Sequence, residues 1–254
     1  MDGPSTSTSS GGRFFFGVLF TISELLLFGS VSLFVYWVMW HDTGFAWSKN
    51  RNEQFNLHAI LMIIGFVFLN GQAMLVYKLL HRCRKIYVKI IHCIIFVCSI
   101  SAITIGMVAA IQAQHNMPPG SSIRHFYSLH SWVGLVAIGL FALQFVAGFV
   151  SFLILLCCDK ATANFRARLL PTHVTFGLII YSLSVIASIS GLLQVARSRL
   201  SGKEGKPNYK EFEEPTIVIN AVGCCMIGLA IILPYIIRNC GQRSRHSPGF
   251  HISH

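Results

Sequence analysis

Residues 55–79 read FNLHAILMIIGFVFLNGQAMLVYKL, an apolar stretch that carries a single histidine, His58, close to its start. A helix needs about 20 mostly apolar residues to cross a hydrocarbon core of about 30 Å, so this stretch predicts a membrane-spanning helix. Backbone groups in lipid have to hydrogen-bond to one another, which excludes irregular structure over that length. An ionisable side chain inside such a span is costly and therefore indicates a functional role.

Five further stretches share this length and apolar character, in a chain of 254 residues that is 54% hydrophobic and only 11% charged. Soluble domains contain about 25% charged residues, so this composition indicates a membrane protein. We predict an all-α membrane protein with one six-helix domain over residues 14–238, between a disordered N-terminus (1–13) and a disordered tail (239–254). The predicted spans are 14–40, 55–79, 87–113, 127–156, 172–196 and 215–238.

Basic residues are unevenly divided between the two sides of the membrane. With six spans both termini lie on one side, and that side holds 12 of the 20 lysines and arginines. The positive-inside rule therefore predicts that both termini are cytoplasmic. The net charge of +11 comes from these loops, so it does not predict binding to nucleic acid.

Three more histidines occupy the same kind of position as His58, namely His92, His130 and His173 in spans 3, 4 and 5. Cytoplasmic termini put His58 and His130 near the outer ends of their spans. The same orientation puts His92 and His173 near the cytoplasmic ends of theirs. We therefore predict two pairs, one under each membrane surface, separated by about 20 Å at about 1.5 Å per helical residue.

Two imidazoles that face each other across a four-helix bundle can bind a haem iron from both sides. Zinc is the main alternative metal, but a zinc site needs three or four ligands and the depths supply two. We therefore predict that spans 2–5 form a four-helix bundle that holds two b haems. Small residues follow three of the histidines after five helical turns, or about 18 residues, where they would leave room for a haem. These are Ala110, Gly148 and Gly191, whereas Val76 follows His58.

An iron that is closed on both sides has no vacant position, so its natural role is one-electron transfer. No flavin or nicotinamide fingerprint is present, which implies a small donor that docks at the cytoplasmic surface. Basic residues near the cytoplasmic histidines would attract an anionic donor. They are Lys78, Lys85, Lys89, Arg166 and Arg168. On the outer side, His115 is the candidate for binding a metal complex or an organic radical.

The segments around the four histidines are FNLHAILM, VKIIHC, YSLHSWVGL and LLPTHVTFG. With GFAWS before span 2, NGQAMLVYK at its end and EEPTIVIN at the start of span 6, they form a specific combination. The chain resembles the eukaryotic cytochrome b561 family of ascorbate-dependent transmembrane oxidoreductases over about residues 14–238. Ala59 departs from this resemblance, since the family commonly has a proline after the first histidine.

The resemblance implies two haem b groups with the pairing given above, and cytoplasmic ascorbate as electron donor at Lys85, Lys89 and Arg166. It implies an outer acceptor site that involves His115, where monodehydroascorbate or ferric or cupric complexes are reduced. The membrane would be the plasma membrane or that of an endosome, lysosome or secretory vesicle. Family members are typically homodimers, and we expect the same here.

Two other functions stay open from the residues alone. One is a non-enzymatic membrane protein, such as a haem-based sensor, and the other is a di-haem cytochrome that is reduced by quinol. Haem content separates the first from a haem reductase, since a colourless preparation would favour the non-enzymatic protein, and the choice of reductant separates quinol from ascorbate.

Overall fold

The computed structural model describes residues 10–116, 126–155, 159–203 and 205–239, and most of these residues are helical. Within these ranges six helices are long and apolar enough to cross a membrane, which confirms the predicted all-α membrane fold. A short 3-10 helix, Tyr209–Glu211, precedes the last of them. The six helices are α1 (Ser10–His41), α2 (Arg51–Leu79), α3 (Lys85–His115), α4 (Leu129–Phe152), α5 (Asp159–Arg199) and α6 (Glu214–Asn239).

All six helices start at residues other than the predicted ones, and two of these differences change the predicted organisation. Helix α1 begins at Ser10, so residues 10–13 are helical rather than disordered, while residues 1–9 lie outside the described ranges. Helix α5 begins at Asp159 rather than at residue 172 and runs through Pro171. The sequence predicts a loop there, because proline removes a backbone donor and disfavours a helix interior. The predicted tail from 239 begins at the last residue of α6, and residues 240–254 also lie outside the described part of the chain.

The helices associate as neighbouring pairs. Helix α1 packs along α6, α2 along α3, and α4 along α5, while α2 also contacts α1, α5 and α6. The face with the first residues of α1, α3 and α5 is called the inner face, and the opposite one the outer face. At the outer face Trp37 Nε1 donates to the carbonyl of Pro215 (2.9 Å), which joins the end of α1 to the start of α6.

Helix α2 contains a π-helical segment, Ile63–Leu69, between two α-helical parts. A π turn adds one residue to the helix and is frequent at functional sites. The neighbouring α3 stabilises it, since Ser99 Oγ donates to the carbonyl of Gly65 (2.8 Å). A Cβ at Gly65 would lie 2.7 Å from Cγ1 of Ile103 and 3.1 Å from the carbonyl oxygen of Ser99. The α2–α3 contact is therefore close enough to require glycine.

A carboxyl group lies within α1 and is hydrogen-bonded to α2. Gln72 Nε2 donates to Glu24 Oε2 over 2.6 Å, which offsets part of the cost of placing an acid within a span. The contact depends on the adjacent Gly71, where a Cβ would lie 2.8 Å from Cδ2 of Leu27. Glycine thus allows α1 to approach α2 closely at this level.

Replacing Gly65 with alanine is expected to destabilise the protein, because the added Cβ overpacks the α2–α3 contact at a cost of about 1–3 kcal/mol. The matched control is Gly139→Ala in α4, where a Cβ meets nothing within 4 Å. Thermal unfolding in detergent, followed by helical circular dichroism, should show a lower midpoint for the first variant and no lowering for the second. Equal midpoints would contradict the proposed close contact.

Candidate functional site

The four span histidines lie at two levels of the bundle. His58 stands seven residues after the outer start of α2, and His130 is the second residue of α4. His92 stands seven residues after the inner start of α3, and His173 follows Pro171 on α5. Two histidines are therefore near each face, as the alternating helix directions require.

The outer two histidines face each other. The ring centres of His58 and His130 are 6.4 Å apart, with an angle of 83° between the ring planes. A metal–imidazole bond is about 2.0–2.1 Å long and a ring nitrogen lies about 1 Å from its ring centre, so two rings that bind one ion have centres about 6 Å apart. The observed separation fits one metal ion between the two rings.

Hydrogen bonds to backbone carbonyls fix the tautomer of three of these histidines. Nδ1 of His58 donates to the carbonyl of Gly106 (2.9 Å), because a carbonyl oxygen only accepts. The other two bonds run from His92 to Ala73 (2.7 Å) and from His130 to Ala187 (2.9 Å). With the hydrogen on Nδ1, each Nε2 has a lone pair that can bind a metal.

The carbonyl acceptors follow a common spacing. Gly106 comes about four helical turns after His92 on α3, and Ala187 comes about four turns after His173 on α5. On α2 the acceptor Ala73 also comes four turns after His58, but the interval is one residue longer because the π segment adds one residue. Four helical turns rise about 21 Å, which is therefore the separation between the two levels along the bundle.

Glycines lie beside two of the imidazole rings. A Cβ at Gly191 would lie 2.9 Å from Cε1 of His130, and a Cβ at Gly148 would lie 2.7 Å from Cε1 of His173. Each glycine comes five helical turns after the histidine of its own helix, as the sequence predicts. The space that the glycines leave is filled by the imidazole of the neighbouring helix. On α2 the π segment adds one residue, so the position five turns after the histidine is Tyr77 rather than Val76. The ring centre of Tyr77 is 5.0 Å from that of His92.

The inner two histidines lie in aromatic surroundings. Phe96 packs on His92, and Phe152 packs on His173, with ring centres 4.6 and 5.1 Å apart. The hydrogen bonds of the two histidines differ, because Nδ1 of His173 contacts the side-chain amide of Gln144 (2.9 Å) rather than a backbone carbonyl.

An apolar layer separates the two levels. Phe141 of α4 contacts Phe66 of α2 and Phe96 of α3, with ring centres 5.5 and 5.4 Å apart. Phe66 and Phe141 are almost fully buried and belong to one cluster with Ile103 and Ile180. Water is therefore excluded from the centre of the bundle.

A cavity of about 460 Å³ surrounds the outer pair, and its lining is mostly apolar. Arg51, Arg199 and Lys206 line it. Arg199 is paired with Asp42 (3.3 Å), and Lys206 donates to the carbonyl of Ser198 (3.2 Å). The guanidinium of Arg51 lies over an aromatic ring of its own helix (4.8 Å), and its Nε is buried without a hydrogen-bond partner among the described residues.

These features together fit a haem. The cavity is concave and apolar, two imidazoles with free Nε2 atoms face each other, and a buried guanidinium nitrogen lacks an acceptor that an acidic substituent would supply. Arg51, Arg199 and Lys206 were not predicted from the sequence. The position of Arg51 seven residues before His58 was the only sequence signal, and the other two approach through the tertiary fold.

The basic residues predicted for the donor site lie at two places on the inner face. Lys78 lies in the last turn of α2, while Lys85 and Lys89 lie in the first two turns of α3, and the side chain of Lys85 is exposed. Arg166 and Arg168 lie in the early turns of α5 rather than in a loop. Nη1 of Arg166 donates to the carbonyl of Leu155 (2.9 Å) and to Oγ1 of Thr162 (2.7 Å). Arg166 therefore joins α5 to Leu155, which follows the end of α4.

His115, the residue predicted for the acceptor site, ends α3 at the outer face. It lines a second cavity, of about 320 Å³, whose lining residues are mostly polar. A chain of amides forms its wall, since Asn116 Nδ2 donates to Gln54 (2.7 Å) and Gln54 Nε2 donates to Gln112 (3.2 Å). Gln54 stands about one helical turn before His58, so this cavity lies close to the outer pair.

The chain is similar to known membrane reductases. The model of the family "Eukaryotic cytochrome b561" matches residues 57–198, which include all four histidines. The transmembrane ascorbate-dependent reductase CYB561 of Ovis aries is 32% identical over 237 residues, covering 93% of this chain and 87% of that protein. The plasma membrane ascorbate-dependent reductase CYBRD1 of Mus musculus is 32% identical over 242 residues, covering 94% and 78%.

A plant relative extends the comparison. The transmembrane ascorbate ferrireductase 2 of Arabidopsis thaliana is 33% identical over 177 residues, covering 69% of this chain and 73% of that protein. The resemblance that the histidine segments indicated is thus confirmed. With six membrane-spanning helices and this match over more than half of its length, the chain is a multi-pass membrane protein that belongs to the eukaryotic cytochrome b561 family.

Proposed function

We propose that the chain is an ascorbate-dependent transmembrane oxidoreductase that carries single electrons from the cytoplasm to an acceptor on the other side. The observation that carries the proposal is the facing pair His58 and His130, whose Nε2 atoms are both left free by bonds from Nδ1. The names of the relatives support ascorbate as the donor, since several are called ascorbate-dependent reductases.

Two haem b groups are the cofactors in this proposal. His58 and His130 would hold the outer one, and His92 and His173 the inner one. Each haem, when bound, supplies an iron that gains and loses one electron without opening a position for oxygen. The protein keeps three of the four imidazoles in fixed orientations through the main-chain carbonyls described above. Rigid ligands limit the structural change that accompanies each electron.

The apolar layer has its own role. Phe66, Phe96 and Phe141 fill the space between the two levels. They exclude water and ions from the route between the inner and outer sites, so that the bundle does not become a channel. An electron therefore crosses about 21 Å of protein without an accompanying ion leak.

On the inner face, we propose that ascorbate binds close to His92 and His173. Lys85 and Lys89 begin the helix that carries His92, and their positive field would attract the ascorbate anion. Lys78 and Arg168 add to this field. Arg166 would contribute as well, while it bonds to Leu155 and Thr162. This assignment makes the inner face cytoplasmic, with both termini on that side.

On the outer face, the acceptor would bind in the cavity that His115 lines. Its imidazole and the amides around it suit either monodehydroascorbate or a ferric or cupric complex. The Arabidopsis relative is named a ferrireductase, which supports a ferric complex. Arg51 would pair with an acidic substituent of the outer haem. We propose a homodimer in the plasma membrane or in an endosomal, lysosomal or secretory vesicle membrane.

The first test is a visible spectrum of the purified protein, taken oxidised, then with ascorbate, then with dithionite. We expect two b haems per chain, largely reduced by ascorbate, because the basic inner face would attract the anionic donor to the inner site. Reduction by dithionite alone would point to a quinol-linked cytochrome. A colourless protein would contradict the haem assignment and leave a non-enzymatic role.

Replacing His92 with alanine should lower the haem content from two to one per chain, because the inner iron loses an axial ligand. Pyridine haemochrome assay gives the haem content, and the spectrum should retain the outer haem. The control is His81→Ala, since His81 is exposed on the inner face and contacts the carbonyl of Lys78 in a local turn. Loss of both haems in His92→Ala would contradict two separate sites.

The double variant Lys85→Ala/Lys89→Ala should need a higher ascorbate concentration for half-reduction, at unchanged haem content. The effect should shrink as ionic strength rises, because salt screens surface charges beyond about 8–10 Å. Lys210→Ala on the outer face is the matched control for loss of a lysine. An ascorbate titration identical to that of the unmodified protein would remove both lysines from the donor site.

A further inference from the structure

One of the four histidines is held by a side chain instead of by the backbone. The other three donate Nδ1–H to main-chain carbonyls. At His173 the corresponding place is taken by Gln144, which stands about four helical turns after His130 on α4. One turn further along α4, Gly148 lies against the His173 ring. The pair Gln144 and Gly148 on α4 therefore matches the pair Ala187 and Gly191 on α5, where Ala187 accepts from His130 and Gly191 lies beside its ring.

The contacts of Gln144 fix the orientation of its amide. Nε2 of Gln144 donates to the carbonyl oxygen of His173 (2.6 Å) and lies 2.9 Å from Nδ1 of the same residue. An amide nitrogen donates and does not accept, so in this arrangement Nδ1 of His173 is the acceptor. Gly177 lies beside the amide, since a Cβ there would be in ordinary van der Waals contact with Nε2, at 3.7 Å.

This arrangement conflicts with metal binding through Nε2. A neutral imidazole that binds a metal through Nε2 carries its hydrogen on Nδ1, and that hydrogen needs an acceptor. The backbone supplies the acceptor for the other three histidines. For His173, Gln144 can supply it only through Oε1, which requires the amide to turn over.

We propose that Gln144 is the positioning residue of the inner haem site, and that its amide turns over when iron binds to His173, so that Oε1 accepts the Nδ1–H hydrogen bond. The proposal rests on the proposed function, since it takes His173 to be a haem ligand. Turning the amide breaks the 2.6 Å bond to the His173 carbonyl. Haem loading at the inner site therefore costs a hydrogen bond that loading at the outer site does not.

This makes His173 the one of the four histidines whose Nδ1 contact can be removed by a single substitution, because His130, which also has Ser190 Oγ at 3.3 Å, keeps its carbonyl acceptor. A main-chain carbonyl stays in place whatever the side chain at positions 73, 106 and 187. The side chain at position 144, in contrast, determines whether His173 has an acceptor, and methionine and glutamate are both similar in length to glutamine. The informative pair of variants is therefore Gln144→Met, which removes the acceptor, and Gln144→Glu, which keeps it.

The experiment is a haem titration of apoprotein in detergent, with the two ferric haems followed separately by electron paramagnetic resonance. Gln144→Met should weaken haem binding at the inner site by about 10–100-fold, the usual effect of losing a supporting bond to a metal-bound histidine. Gln144→Glu should retain the inner haem and lower its midpoint potential, because a carboxylate acceptor makes the imidazole a stronger electron donor to the iron. Ser182→Ala on α5 is the control, since Ser182 donates to Leu178 within its own helix.

The outer haem is an internal reference in every variant. An inner haem in Gln144→Met with the affinity and resonance spectrum of the unmodified protein would overturn the role of Gln144. Equal weakening of both haems in Gln144→Met and Gln144→Glu would overturn it too, since the effect would not be specific to His173. Absence of haem from the unmodified protein would instead overturn the proposed function, so the two failures are distinguishable.

Discussion

The hydrogen bond from a histidine Nδ1 on one helix to a carbonyl of the next helix is the constraint on which the bundle depends. It joins α2 to α3 in both directions, through His58 with Gly106 and His92 with Ala73. Each bond fixes a tautomer, a ring orientation and the longitudinal position of two helices at once. Because the two bonds lie about 21 Å apart, they prevent α2 and α3 from sliding past each other.

Close helix contacts are the condition for these bonds. Glycine at position 65 brings α2 against α3, and glycines at 148 and 191 leave space for imidazoles between α4 and α5. The π segment then corrects the rotation of α2, so that one end presents His58 and the other presents the Ala73 carbonyl. Packing and site geometry are thus linked, since a larger side chain at Gly148 or Gly191 would displace a histidine and one at Gly65 would push α2 away from α3.

The two faces of the bundle are built for different partners. The inner face has lysines at the α2–α3 turn and an inner histidine, His173, with an adjustable support in Gln144. The outer face has a cavity lined by Arg51, whose Nε has no hydrogen-bond partner among the described residues. A second cavity nearby is lined by His115 and other polar side chains. In the proposed function an anionic donor meets the first face and an acceptor the second, with an aromatic layer between them.

Hydropathy and helical rise were enough to predict the six spans and the two levels at which the four histidines lie. Hydropathy and rise are properties of one segment at a time. The predicted start of α5 at residue 172 is wrong, because the helix begins at Asp159 and continues through Pro171. Pro171 and the arginines before it led to the prediction of a loop. Three features came only from the packed helices: the groups that hold the four histidines (three carbonyls and the Gln144 amide), the extra residue in the π segment of α2, and the cavity where Arg51, Arg199 and Lys206 meet. They depend on how neighbouring helices rotate and approach one another, which no single segment specifies.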